Sequence, residues 1–405
     1  MVPVSQNDIP IHTPEFCPNP SCQHHFSPQQ PNWYYRHGRH NSKVRGSIQR
    51  FRCRSCGKTC STQTFSLHYW THQHWNFTAL ENMLTSSAGQ RQIGRSTVAS
   101  GRVIKNRCSR LARNYLAIYY AALQDHQISE NCAFDGFESF VRSQYFPANW
   151  NILVGSDSLA VYGITGALLR RKGCMTKQQR DFRDMIDPHW KRPRNAVAKS
   201  CVQLFRDIEP RINTGVEDKP WVISTDEHRS YPAALRKVPA IKTALQEGKI
   251  RHVTVSSRKK RDTRNALFPV NYIDREIRKD LGDHARETVK FAREVNMSAQ
   301  RLIIELGSHT FGKPMRIPNS VQLQHIPTHG DAAGLTSTEK VRNLLKRRYT
   351  HRFVHSRASG KGNIAWIDAI WLQRYENPPV VHPVTGEKIT ERSPGSGWCA
   401  QHLLV

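Results

Sequence analysis

The chain has 405 residues, with 60 Lys and Arg against 32 Asp and Glu, for a formal net charge of +28. A hydrophobic fraction of 38% is low, but nine Trp and fifteen Phe exclude wholesale disorder, and the length suits two to three packed domains. Basic residues run along the whole chain, so a polyanion is the natural partner and nucleic acid the first choice; a membrane is excluded because no long apolar span or amphipathic basic anchor appears. The start, Met1-Val-Pro-Val-Ser-Gln-Asn-Asp8, lacks the regions of a signal peptide, which predicts a cytoplasmic location. In a reducing cytosol the ten Cys are expected as thiols or metal ligands rather than disulfides.

Residues 1–76 hold half of those cysteines. Cys17-Pro-Asn-Pro-Ser-Cys22 and Cys53-Arg-Ser-Cys56-Gly57 form a C-x4-C and C-x2-C pair, a spacing that can place four thiolates around one structural zinc ion. Between them lies an Arg-, His- and aromatic-rich stretch suited to a ribbon of strands touching phosphates; Cys60, His24 and His25 rank as lesser ligands. Residues 77–127 read as helical. Leu80, Met83 and Leu84 mark one face, Gly89 breaks it, and Ser96 is expected to cap a second helix through Val98, Val103 and Ile104. With Arg91, Arg95, Arg102, Lys105 and Arg107, this is compatible with a DNA-reading helix-turn-helix. The stripe Ile104, Cys108, Leu111, Tyr115, Ile118 and Ala122 belongs to a long helix, as core or as a dimer seam.

From 128 to 315 the elements come in the order β-β-β-α-β-α-β-α, that of an RNase H-like mixed sheet with flanking helices. Cys132–Val141 alternates like a half-buried strand, and Asn151–Val154 and Leu159–Tyr162 supply the next one or two. A helix follows Pro193, bearing Val197, Cys201, Leu204, Phe205 and Ile208; then a short apolar strand, Trp221-Val-Ile-Ser-Thr, ends at Asp226. A short helix, the strand Arg251–Val255, the basic loop Arg258, Lys259, Lys260, Arg261 and Arg264, and a long helix from about Pro269 complete the set. In this fold Asp135 on the first strand, Asp226 after the fourth and Asp274 on the last helix converge. Like charges so placed repel unless divalent cations neutralise them, and hard oxygen ligands select two Mg²⁺ or Mn²⁺ ions. Asp157 is a rival first acid, but its Gly–Ser surroundings favour a turn; Glu138 should face the other side of the sheet, and Glu227 and Glu276 should point away. Asn271 and Arg278 share the face of Asp274, where Arg278 can touch phosphate. Beyond 315 the chain reads as a basic region, helical at Ser298–Leu306 just before it and at Glu339–Arg348 within it. Pro314, Pro318 and Pro327 punctuate a loop, and the tail from Pro378 is expected to be loosely ordered.

Several of these segments together resemble a DDE-type transposase of a bacterial insertion sequence, in the group with a zinc ribbon, a helix-turn-helix and an RNase H-like catalytic domain. The resemblance covers roughly residues 15–315. It lies in Phe51–Phe65 as the second zinc knuckle, Phe134–Phe140 as the first catalytic strand, Ser224–Tyr231 as the second block, Asn271–Arg278 as the third and His284–Arg293 as the basic continuation. The resemblance implies metal-dependent cleavage and joining of double-stranded DNA at an element's inverted repeats, a homo-oligomer in the synaptic complex, and nucleoid association. It also favours Asp135 over Asp157. The chain departs from the family in carrying Asp274 where Glu is usual, with Glu276 as the fallback. A non-catalytic DNA-binding regulator and a structure-selective nuclease on the same fold are the rivals.

Overall fold

The computed structural model describes residues 13–28, 32–42, 46–71, 73–214, 219–256, 258–285, 290–316, 326–353, 364–382 and 384–389. A helical turn, α1 (Gln23–Phe26), precedes a three-stranded antiparallel sheet of β1 (Tyr34–Ser42), β2 (Gly46–Cys53) and β3 (Thr59–Ser61). Gly57, with φ +69, makes the tight return from β2 to β3 that a side chain would strain. This ribbon is tied to the C-terminal part of the chain: Leu67 donates its backbone N–H to Thr350 at 3.0 Å, and Arg347 pairs with Glu15.

Three helices follow, α2 (Phe77–Leu84), α3 (Gln90–Thr97) and α4 (Gly101–Leu123). The expected cap at Ser96 is displaced: Ser96 lies inside α3, where its hydroxyl donates back to Gln92 O at 3.1 Å. The break falls instead at Val98, in the left-handed region at φ 52, and Ser100 caps α4 by accepting from Val103 N. A β-branched residue there is unfavourable, so no local propensity announced it. The stripe Ile104, Cys108, Leu111, Tyr115, Ile118 and Ala122 is buried within the chain itself. It is core, which leaves it no role as a dimer seam.

The main sheet is mixed α/β. Its strands are β4 (Cys132–Phe140), β5 (Pro147–Gly155) and β6 (Val161–Leu168). After α5 (Lys177–Ile186) and α6 (Ala196–Ile208) come β7 (Trp221–Thr225), the helices α7 (Ser230–Leu235) and α8 (Pro239–Gln246), and β8 (Ile250–Thr254). The strand order is β6-β5-β4-β7-β8, with the β4–β5–β6 pairings antiparallel and the β4–β7–β8 pairings parallel. Sequence periodicity missed α5, since Ile186 alone is buried on it; a capping box at Thr176 and Gln179 was its signal. One face of the sheet is covered by α6, where Phe205 meets Phe134 with ring centroids 4.8 Å apart. The other is covered by α9 (Phe268–Asp280) and the chain that follows it, leading into α10 (Val295–Gly312).

Three short helices end the described chain: α11 (His329–Ala332), α12 (Glu339–Arg347) and α13 (Ala365–Trp371). They are not loose. One hydrophobic core runs from Leu67 to Ile370, with Trp366, Ile367 and Ile370 at its C-terminal end. Asp207 of α6 accepts from the backbone of Ala365 and Trp366 at 2.9 Å each, capping α13. Buried Glu81 of α2 accepts from Tyr115 and Tyr349, joining α4 to the residues after α12. Pro318 and the tail beyond 389 lie outside the described residues. Among those described, no helix is long and apolar enough to cross a membrane.

His309 on α10 stacks on His329 with centroids 4.1 Å apart, and its Nε2 meets Leu159 O at 3.1 Å. Burial, and then the neighbouring His329, hold His309 down to about 3. The folded state therefore resists its protonation: the contribution is complete above pH 6.5 and is lost as pH falls. Relative to His309→Gln, which keeps a side-chain N–H for Leu159, the wild type should lose about 2 kcal/mol between pH 6.5 and 5 in urea unfolding.

Candidate functional site

The centre of the sheet brings two carboxylates together. In the parallel pairing of β4 with β7, Cys132 lies opposite Ile223, Ala133 opposite Ser224 and Phe134 opposite Thr225. Asp135 is the next residue of β4 and Asp226 the first residue past β7, close enough that the charge of Asp226 acts on Asp135. The Asp135 carboxylate accepts from the Gly136 N–H at 2.7 Å and from the Tyr231 hydroxyl at 3.1 Å. Asp226, just past β7, accepts from the His228 N–H at 2.8 Å, which sets the turn into α7. That turn is what brings Tyr231 back over β4. Burial first, and the charge of Asp226 second, push Asp135 up to about 6; Arg261 acts in the opposite direction.

Gly136 is required beside this acid. A Cβ there would meet Asn151 Oδ1 at 2.7 Å and the Asn149 amide at 2.9 Å. Asn149 and Asn151 are buried and bonded to each other at 2.8 Å, and Asn151 reaches Ser200 of α6 at 2.7 Å. A satisfied polar ladder thus occupies the space behind β4. Neither Tyr231 nor Gly136 was singled out as functional by the sequence, although Tyr231 sits one turn after a strand-end acid.

Asp274 lies on α9, which packs on β4 and β5. The Arg278 guanidinium stands 5.4 Å from the ring centre of Phe137, His284 is 5.7 Å from the same ring, and Ala292 bridges to Val141. From α9 onward the chain therefore follows β4 toward its C-terminal end. Asp274, one turn before Arg278, falls on the Asp135 side of that contact. Among the described residues, however, the one group of three or more metal-binding side chains whose ligand atoms gather within 4.8 Å is a cysteine cluster, so the three aspartates do not close to that distance. Their donor chemistry fits a hard cation, but the three do not gather into one shared inner sphere.

The other acids are engaged elsewhere. Asp157 is exposed in the β5–β6 turn, held through its N–H by Glu130 at 2.8 Å, beyond the opposite end of β4. Glu227 is exposed and accepts from Ser256 at 3.4 Å. Glu276 pairs with Lys279 at 2.6 Å and approaches Lys313 at 3.8 Å, on the side of α9 toward α10. Of the basic residues, Arg258, Lys259, Lys260, Arg261 and Arg264 are exposed on the segment joining β8 to α9, and Arg261 is close enough to act on Asp135. Arg95 and Arg102 are exposed on α3 and α4. Lys105 is bound to Glu294 at 2.5 Å, and Arg107 is buried over the Trp75 ring. Arg278 stacks on Phe137 and donates to His284 O at 3.3 Å.

The cysteine cluster is Cys17, Cys22, Cys53 and Cys56. Cys17 and Cys56 sulfurs are 3.5 Å apart, and those of Cys22 and Cys53 3.8 Å. Tetrahedral zinc with Zn–S bonds of about 2.3 Å spaces sulfurs by about 3.8 Å, so the arrangement is compatible with a structural zinc site. Burial above all pushes the Cys17 thiol up; against its own burial, hydrogen bonds from the Lys58 backbone and Asn19 draw Cys56 down to about 6. Cys60 pairs across to Phe51 on β2 and stays outside the cluster, and His25 meets the Cys17 carbonyl rather than a metal position. Neither a family model nor a curated protein matches this chain.

Two outcomes follow from these sites. Cys53→Ser should lose one equivalent of bound zinc and the amide protection of β1–β3, because Cys17, Cys22, Trp33 and Cys53 form a small core separate from the main one. Its main unfolding transition should stay within a few degrees of wild type by calorimetry. In metal-free protein, ¹³C-carboxyl titration should find Asp135 near 6, shifted down in Asp226→Asn and up in Tyr231→Phe, which removes a donor to the charged form.

Proposed function

We propose that the chain is a DNA transposase that cleaves the ends of an insertion sequence and joins them to target DNA. The reading takes the five-stranded mixed sheet as an RNase H-like core. The observation that carries it is the proximity of Asp135 on β4 and Asp226 just past the parallel strand β7, with Arg261 of an exposed basic segment acting on the same carboxylate. Asp135, Asp226 and Asp274 would hold two Mg²⁺ or Mn²⁺ ions, which when bound supply Lewis-acid stabilisation of the attacking and leaving oxygens of a phosphodiester. Tyr231 orients the Asp135 carboxylate. Arg258, Lys259, Lys260, Arg261 and Arg264 hold the strand being cut against the acids by charge. The α2–α4 helices, through Arg95 and Arg102, and the zinc ribbon bind the terminal repeats. Joining two ends calls for a dimer or larger assembly on nucleoid DNA.

One observation favours a second reading, a DNA-binding regulator without catalysis: the three aspartates do not gather within 4.8 Å. Purified, zinc-loaded protein with Mn²⁺ and duplexes bearing the element's own ends separates the two. Asp135→Asn and Asp226→Asn should lower nicking and joining on the order of 10³-fold, with DNA affinity kept within about 3-fold. Glu276→Gln should act like wild type, since that carboxylate belongs to the Lys279 and Lys313 pairs. Nicking and joining by Asp226→Asn at the wild-type rate would falsify the transposase reading. Cleavage without joining would assign the site to a nuclease instead.

A further inference from the structure

Trp70 is 83% exposed, whereas Trp33, Trp150 and Trp366 are buried to 1% or less. Its backbone has φ 54, the left-handed region that bulky residues rarely occupy. The turn that carries it is clamped. Arg110 of α4 donates to the carbonyls of Leu67 at 2.5 Å and Tyr69 at 2.6 Å, and Thr71 N–H donates to His68 O at 3.1 Å. The backbone that presents the indole to the surface is thus held in place.

The same indole is the shared wall of two concavities. One, of about 450 Å³, opens toward the ribbon and is lined by Arg50, Gln63, Thr64 and Tyr69 among others. The second, of about 540 Å³, lies toward the start of α4, with Val98, Ser100, Arg102 and Asn106. Val98 is 87% exposed and, like Trp70, sits at positive φ. No carboxylate is found among the described residues lining either space. A flat aromatic wall, hydroxyl and amide side chains, and guanidinium groups on both sides match a nucleotide better than an apolar protein surface. A second copy of a chain with net charge +28 is repelled from the same place.

We propose that Trp70 stacks on one unstacked nucleobase of bound DNA, seated in the ribbon-side concavity, with Arg50 and Arg102 at the flanking phosphates. This rests on the DNA-binding part of the reading above and is independent of the acidic site. The test uses the full-length zinc-loaded protein, a 30-bp duplex, and the same duplex with a single bulged 2-aminopurine. Wild type should prefer the bulged duplex by about 10-fold and quench the 2-aminopurine. Trp70→Ala should lose both the preference and the quenching, with affinity for the plain duplex and its salt dependence unchanged, and Trp70→Phe should retain most of each. Because the side chain is exposed, the melting temperature should not move.

A wild type without the preference, or Trp70→Ala with it, overturns the stacking role. So does a variant whose sole change is in sedimentation, which assigns the indole to a contact between copies. Failure of the wild type to bind either duplex overturns this role and the transposase reading together. Loss of stacking with Mn²⁺-dependent cleavage intact removes the stacking role alone.

Discussion

Two carboxylates, Asp135 on β4 and Asp226 just past the parallel neighbour β7, are the constraint around which the centre of the sheet is arranged. The charge of Asp226 opposes ionisation of Asp135, second only to the burial of Asp135 itself. The protein meets that cost locally. Tyr231 and the Gly136 N–H donate to Asp135, the His228 N–H donates to Asp226, and Arg261 lies close enough to be felt electrostatically. Asp135 nonetheless rises to about 6. An acid so destabilised in its charged form gains more than an ordinary one from any cation that approaches, which is the physical link between this pair and a metal- or phosphate-handling role.

The pair can be held at fixed spacing because the fold around it is one body. α4 is buried along most of its length and meets α3, α10, α12 and α13, while α6 and α9 close the two faces of the sheet. The main core runs without interruption from Leu67 to Ile370, so the helices bearing Arg95 and Arg102 are packed onto the same interior as the acids. The ribbon adds its own small core, and polar bonds to the residues around α12 fasten it to the rest. The exposed cations Arg95 and Arg102 thereby sit on the same packed body as the acidic pair.

Much of this was legible in the sequence, for identifiable reasons. The cysteine spacing set the cluster because two tight knuckles leave little freedom in where four sulfurs can go. The apolar run at Trp221–Thr225 fixed β7, and with it the position of Asp226, because a buried central strand must be apolar on both faces. What escaped depended on tertiary context. The break at Val98 needs a left-handed valine that no local preference favours; α5 buries almost nothing; α13 is anchored by Asp207, far away in sequence. The burial of Arg107 and the pairing of Lys105 with Glu294 were equally invisible, since a basic helix looks the same whether its cations face solvent or a neighbour. Tyr231 was in view as the end of the Ser224–Tyr231 block, but its hydroxyl acquires meaning through the turn at Asp226.

The third acid shows how far packing constrains chemistry. α9 is held in front by Ile273 and Ile277 in the core and by Arg278 on Phe137. It is held behind by Lys313, which binds Asp280 and Glu305 at 2.9 Å and draws on Glu276. A helix fixed on two sides cannot turn by the roughly 200° that would exchange Glu276 for Asp274. The packing therefore keeps Glu276 in the Lys279 and Lys313 pairs and leaves Asp274, roughly 200° around the helix, as the acid on the other side of α9.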